Sequence, residues 1–162
     1  MGSGRKSDAA RARAAEVIQE GKRSEFHSLG LVLGYGYGPD SAAQAPSSEI
    51  YLPQARIGNR LPHARSIDGS SLFDKLGPDF TVIGSADSSR PLLAALATRG
   101  VPAVHLDAIA AGFSAAEVPL LALVRPDQHL AWVAEESVMP DDPDLIIDAA
   151  LRGFRPSASA AQ

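Results

Sequence analysis

Phe80-Thr81-Val82-Ile83-Gly84-Ser85 reads as a buried strand, a short apolar run rich in branched side chains that ends on a glycine. The period then changes. Ser89 can cap a helix with Pro91 at its first position, where a missing N–H costs nothing, and Leu92, Leu93, Leu96 and Ala97 give that helix an inward stripe. Gly100 closes it, and Val101 to Leu106 supplies a second strand. Asp107 to Glu117 keeps no period and reads as irregular or weakly helical. Pro119 to Val124 and Leu130 to Ala134 are two more strands, joined at Arg125-Pro126-Asp127-Gln128, where Pro and Asp suit a tight turn. Asp142 caps a last helix with Pro143 at its first position; Leu145, Ile146, Ala149 and Leu151 are expected to face inward, and Gly153 ends it.

Strand, helix, strand, connection, antiparallel hairpin, helix is the order of a thioredoxin-like domain. This is an α/β fold with a central mixed sheet flanked by helices. Val118-Pro119 falls just before the third strand, where that fold commonly holds a cis proline. In redox members the active dithiol lies between the first strand and its helix. Here that place reads Ala86-Asp87-Ser88-Ser89-Arg90, and the chain has no cysteine at all. Disulfide exchange and thiolate-metal chemistry are therefore excluded.

Upstream, Ser7 to Glu20 predicts an N-terminal helix with only Val17 and Ile18 as an apolar edge, too narrow to build a core. Gly21 is expected to end it, with Lys22 and Arg23 at its negative end. Phe26 to Gly38 reads as an extended arm. Gly30, Gly34, Gly36 and Gly38 lack the strand-turn-helix context and downstream acidic residue of a dinucleotide loop. An arm of this kind leaves Phe26, Leu29, Leu31, Leu33, Tyr35 and Tyr37 as candidate interface residues. The expected division is an N-terminal helix over 1–25, arm and loop over 26–58, the thioredoxin-like domain over 59–155, and a disordered Ala/Ser tail over 156–162.

Composition narrows the function classes. A chain of 162 residues with 45% hydrophobic content can bury one core. A net charge of −4, with basic residues dispersed apart from a cluster near the amino end, gives no footprint for nucleic acid. No apolar run reaches the roughly 18 residues of a membrane span and no signal-peptide core opens the chain, so a cytoplasmic location is expected. Met1-Gly2-Ser3-Gly4 fits either an expression scar or a native start. The histidines outside the motif stretch, His27, His105 and His129, show no metal-ligand spacing, so no metal is expected.

Between arm and first strand, Arg56-Ile57-Gly58-Asn59-Arg60-Leu61-Pro62-His63 runs on through Ile67-Asp68-Gly69-Ser70-Ser71-Leu72-Phe73-Asp74-Lys75-Leu76-Gly77. This run resembles the R-x-G-x-R-x-P-H and D-G-x-S-L-[FY]-D-x-L-G blocks that open the C-terminal domain of flavin-dependent aromatic hydroxylases. These are class A monooxygenases of the phenol-hydroxylase and polyketide-hydroxylase type. Leu123 to Trp132 is similar to that family's V-R-P-D-Q-[HY]-[VL]-A-W hairpin, and Phe80 to Ile83 to its F-T-[LV]-[LI] strand. The resemblance covers roughly Phe26 to Gly153. It implies the thioredoxin-like fold again, and a relation to oxidation of aromatic compounds or polyketides. The family's G-x-G-x-x-G loop and later G-D motif, which hold its FAD, are not in this chain, so no cofactor is expected here.

Each polar residue of the motif stretch has two readings. Tyr51, Arg56 and Arg60 are candidate ligand-binding residues, and the arginines suit an anionic or phenolate-bearing molecule held bidentately. Arginines so placed also tie loops to carbonyls or to carboxylates such as Asp68. His63 and Asp68 are candidate acid-base residues; equally, His63 can sit hydrogen-bonded after Pro62, and Asp68 before Gly69 can be a turn residue. Asp74 can pair locally with Lys75 or Arg65, and Trp132 is expected in a core or an interface. Two functions follow. One is a stand-alone, non-redox binding or assembly module that pairs with itself or docks onto a flavoprotein oxygenase. The other is a cofactor-independent cyclase, isomerase or epoxide-opening enzyme acting on an aromatic polyketide. An excised fragment of a longer monooxygenase is a third possibility.

Overall fold

A computed structural model describes residues 3–26, 28–37, 49–134 and 142–152. The described residues fall into two units, one drawn from Met1–Gly34 and Ala45–Leu52, the other from Tyr35–Gln44 and Pro53–Gln162.

The larger unit is built on a four-stranded mixed sheet. Its strands are β1 (Phe80–Gly84), β2 (Ala103–Leu106), β3 (Leu121–Val124) and β4 (Leu130–Val133), in the order β2-β1-β3-β4. β1 runs parallel to β2, with Phe80 opposite Ala103, and antiparallel to β3, with Val82 opposite Leu123. β3 and β4 pair antiparallel with an irregularity between Leu123 and Val124. The inner strands β1 and β3 are covered on both faces, which is why they read as continuous apolar runs.

The two-residue period of a strand sorts their side chains into two cores. Val82 and Leu123 point to one face, where they meet Leu92, Leu96, Ile146 and Ile147, with Trp132 packed at the margin. Ile83, Ala122 and Val124 point to the other, where Leu61, Leu72, Phe113 and Leu130 close over them. Helices α3 (Ala86–Thr98) and α4 (Pro143–Arg152) thus cover the first face, and the motif stretch covers the second. Arg99, at the end of α3, ties the helices together through an ion pair with Asp148 at 2.5 Å.

Three features of the larger unit depart from expectation. α3 begins at Ala86, with Ser85 rather than Ser89 as its cap, accepting from the Ser88 N–H at 3.2 Å. Ser85 follows β1 directly and is the first side chain able to reach the free N–H groups. Ser89 is instead fully buried, its hydroxyl without a partner among the described residues, and Pro91 lies inside the helix. In α4, Asp142 caps as expected, accepting from the Asp144 N–H at 2.9 Å, but Ile146 and Ile147 form the buried face while Leu145, Ala149 and Leu151 are exposed. Ile146, Ile147 and Ala150 share one helical face, and that face meets the sheet. Finally, Val118–Pro119 is trans, as no cis peptide bond occurs among the described residues; a turn in which Val118 N–H meets the Ser114 carbonyl at 3.2 Å leads the chain to β3.

In the smaller unit, α1 spans Ser3–Phe26 and passes through Gly21 rather than ending there. A glycine in a solvated helix costs only about 1 kcal/mol against alanine, which does not stop a helix whose neighbours favour it. The arm also differs: Leu29–Gly34 is a short helix, α2, where extended chain was expected. Its backbone groups find local partners, as in the 2.8 Å bond from Val32 N–H to the Ser28 carbonyl. Gly38 to Ser48 and the tail after Pro156 lie outside the described residues. No described helix is long and apolar enough to cross a membrane.

Candidate functional site

The motif stretch is laid along the β3–β4 hairpin by backbone bonds. Gly58 N–H donates to the Leu130 carbonyl at 2.7 Å, Leu130 N–H to Asn59 at 2.8 Å, and Leu61 N–H to Gln128 at 2.8 Å. Gly58 is buried and sits at φ +85°, a conformation that a side chain opposes. This lacing brings Arg60 to the hairpin turn. Its Nη2 donates to Gln128 Oε1 at 2.7 Å, and its guanidinium lies 4.8 Å from the centre of the Phe73 ring. His63 approaches the same phenyl group, ring centres 5.4 Å apart, and its Nε2 meets Ser71 Oγ at 3.1 Å.

Ser71 caps the single 3-10 turn Leu72–Lys75 in a capping box: it accepts from Phe73 N–H, and Asp74 accepts from Ser71 N–H at 3.3 Å. Asp74 therefore holds its own turn. Asp68 closes a second loop, accepting from the Ser66 hydroxyl and from Ser70 N–H at 2.8 Å, with Gly69 at φ +82° beside it. Those two bonds, the Ser66 hydroxyl first, hold its carboxyl well below the usual carboxylate range. Arg65 reaches the Gly69 carbonyl of the same loop at 3.0 Å.

The predicted site residues are thus only partly gathered. Arg60 and His63 share Phe73. No hydrogen bond joins His63 to Asp68 among the described residues; each bonds within its own turn. Arg56 is exposed, its N–H bonded to the Gln54 carbonyl at 3.0 Å. Tyr51 belongs to the smaller unit, its ring beside Gly34. Among the candidate interface residues, Leu29, Leu31, Tyr35 and Tyr37 are exposed and Leu33 is half-buried; Phe26 ends α1, and its side chain lies outside the description.

One cluster was not anticipated. His129 is 3% exposed, packed against the rings of Tyr35 and Tyr37 at 5.2 and 4.8 Å between centres. Its Nδ1 lies 2.9 Å from the Asp127 carbonyl, which can only accept, so Nδ1 carries the proton. Nε2 is then a buried acceptor without a partner among the described residues. Arg125 stands 5.6 Å over the Tyr37 ring and pairs with Asp127 at 2.7 Å. Hydrogen bonding with Tyr35, and its nearby charge, push the Tyr37 phenol up. The sequence signal was the Arg125-Pro126-Asp127-Gln128-His129 turn itself, whose first and last residues bond at 2.8 Å.

The chain is similar over 93% of its length to the rebeccamycin biosynthetic enzyme RebC, solved with reduced flavin, at 28% identity and a TM-score of 0.67, and it covers 29% of that chain. It is similar over 89% of its length to the flavin-dependent monooxygenase PieE, solved with FAD and substrate (24% identity, TM-score 0.61, 30% of that chain). Aklavinone-11 hydroxylase, in a ternary complex with FAD and aklavinone, shares the fold at 22% identity and a TM-score of 0.52 over 77% of this chain and 27% of that one. No family model and no curated protein matches the chain. This sequence spans less than a third of each of these structures. The chain is a structural relative of the C-terminal thioredoxin-like domain of flavin-dependent aromatic hydroxylases.

Proposed function

We propose that this chain is a non-redox binding and assembly module in the oxidation of aromatic compounds or polyketides, pairing with a second copy of itself or docking onto a flavoprotein oxygenase. The observation that carries this reading is the apolar surface of α2, where Leu29, Leu31 and Val32 are 59%, 64% and 57% exposed. Fully burying a side chain of this kind is worth about 1.5–3 kcal/mol, so covering this surface favours association. The β1–α3 junction is not built to hold a dinucleotide. After β1 the chain turns straight from Gly84 and Ser85 into α3, with no glycine loop to cradle a pyrophosphate, and Asp107 lines the same junction. Nor is there a thiol, so the place of a redox dithiol holds a serine cap instead.

The test is association in solution. Light scattering of the pure chain at micromolar concentration, alone and mixed with a flavin-dependent aromatic monooxygenase, is expected to give a dimer or a mixed complex. A strict monomer in both conditions refutes the proposal.

A further inference from the structure

Ile67 stands in the Arg65–Ser70 loop and, at 97% exposure, is the most exposed large apolar side chain among the described residues. The loop around it is braced at every turn. Ser66 N–H donates to the Ser70 carbonyl at 3.0 Å, and Gly69 N–H to the Ser66 carbonyl at 2.9 Å. Asp68 takes the Ser66 hydroxyl and the Ser70 N–H, and Ile67 N–H itself donates to the Gly112 carbonyl at 3.2 Å. None of this bracing uses the Ile67 side chain. A β-branched residue held in this way has little freedom left to lose, so a partner that buries it meets a low entropic cost.

The turn that receives the Ile67 N–H also forms part of a cleft. Asp107 to Gly112 folds on itself through bonds from Ala111 N–H to the Asp107 carbonyl at 2.9 Å and from Gly112 N–H to the Ile109 carbonyl at 3.0 Å. Asp107, Ile109 and Ala110, with Ile83, Pro119 and Leu120, line about 580 Å³ of open space. Ile109 and Leu120 are each 50% exposed there. Ile67 does not turn into this cleft, as its own exposure shows.

The two surfaces also match in charge. Arg65, beside the knob, gives one donor to the Gly69 carbonyl at 3.0 Å, and its other donors have no acceptor among the described residues. Asp107 spends Oδ1 on the Ala110 N–H at 2.9 Å, which leaves Oδ2 without a donor among the described residues. The carboxylate nearest the knob, Asp68, is already engaged inside its loop. Opposite charges across a contact fix its register and turn away like-charged alternatives. A two-fold pair requires each copy to offer both halves of the contact, and here one turn carries both. We propose that Ile67 of one copy seats against Ile109 and Leu120 in the cleft of a second copy, with Arg65 paired to Asp107, and that the reciprocal contact completes a two-fold dimer. This contact rests on the assembly reading and adds to it a surface apart from α2. One side chain in each direction falls well short of the roughly 1,200 Å² that a stable interface buries, so the contact orients a pair rather than holding it alone.

The chain has no cysteine, which makes the test direct. Chains carrying Ile67→Cys, labelled with ¹⁵N, are mixed with unlabelled Leu120→Cys chains at micromolar concentration and oxidised mildly, so that mass separates mixed from like disulfides. The control replaces Ile67→Cys by Ile57→Cys, a 52% exposed position of the same unit that lines no part of the cleft. The mixed Ile67–Leu120 disulfide should form at least about tenfold faster than the control, because a held contact raises the effective concentration of the two thiols. Asp107→Lys in the Leu120→Cys chain should slow it by about tenfold, and Arg65→Glu in the Ile67→Cys chain should then restore it. All these positions are exposed or half-buried, and thermal melts check that each variant folds. A mixed disulfide no faster than the control, or one indifferent to Asp107→Lys, refutes the contact. If light scattering still gives a wild-type dimer or mixed complex, this contact alone falls; a monomer in both conditions takes the assembly reading with it.

Discussion

Arg60 Nη2 donates to Gln128 Oε1 across 2.7 Å although 68 residues separate the two in the chain. Gln128 sits at φ +67°, in the left-handed region, and its carbonyl accepts from Leu61 N–H at 2.8 Å. The arginine thus fastens the motif stretch to a turn that a non-glycine residue occupies at a cost of roughly 1–2 kcal/mol.

Removing that fastening should be felt. Arg60→Ala loses a part-buried bond and the packing on Phe73, and is expected to lower unfolding free energy by about 1–3 kcal/mol in urea. Gln128→Gly relieves the backbone while losing the same bond, so its effect should be clearly smaller. Equal losses in both variants would show that the turn stores no strain.

Gly84 has no room for a methyl group. Gly84→Ala is expected to destabilise by about 1–3 kcal/mol, because Ser89 Oγ and Leu121 Cδ1 must move. Ser89→Ala alone removes a buried, unpartnered hydroxyl and should be neutral or mildly stabilising. In that background the cost of Gly84→Ala should shrink, and a double-mutant cycle measures the difference.

Asp68 sets a pH dependence. Its folded pKa lies below the unfolded value of about 3.9, so its contribution is fully present above that value, begins to fade below it and is lost as pH falls through the lower folded value. Thermal melts of the wild type and Asp68→Asn should differ at neutral pH and converge as pH drops below about 4. A difference that persists unchanged into acid contradicts this assignment.

The His129 tautomer is directly observable. Long-range ¹H–¹⁵N correlation should show the uncharged ring protonated at Nδ1, the atom facing the Asp127 carbonyl. Protonation at Nε2 instead would mean that the Tyr35–Tyr37 environment supplies an acceptor that the geometry does not show.

What the sequence made legible was mostly local. Val82 and Ile83 announce a strand covered on both sides, Asp142-Pro143 a helix start, and Asp68-Gly69 a turn, because in each case the cause lies within a few residues. Choices between equivalent neighbours were not legible. Ser85 and Ser89 are both good caps, and the place where β1 ends decides between them. Leu145 and Ile147 are equally apolar, and only the position of the sheet shows which is buried. The burial of His129 depends on Tyr35 and Tyr37, more than ninety positions earlier, a contact that no periodicity encodes. Arg60 was recognisable as a loop-tying arginine, but its partner Gln128 was not, for the same reason.

The association proposed for this chain rests on the exposed apolar side chains of α2, Leu29 and Val32 on one side of the helix and Leu31 on another. Its most direct test is the mass of the pure chain by light scattering, alone and with a flavin-dependent aromatic monooxygenase, before and after Leu29→Glu with Leu31→Glu. A dimer or mixed complex is expected, which the double substitution reduces to monomer while the thermal transition of the larger unit stays in place. A monomer throughout, or an assembly indifferent to those two charges, contradicts it.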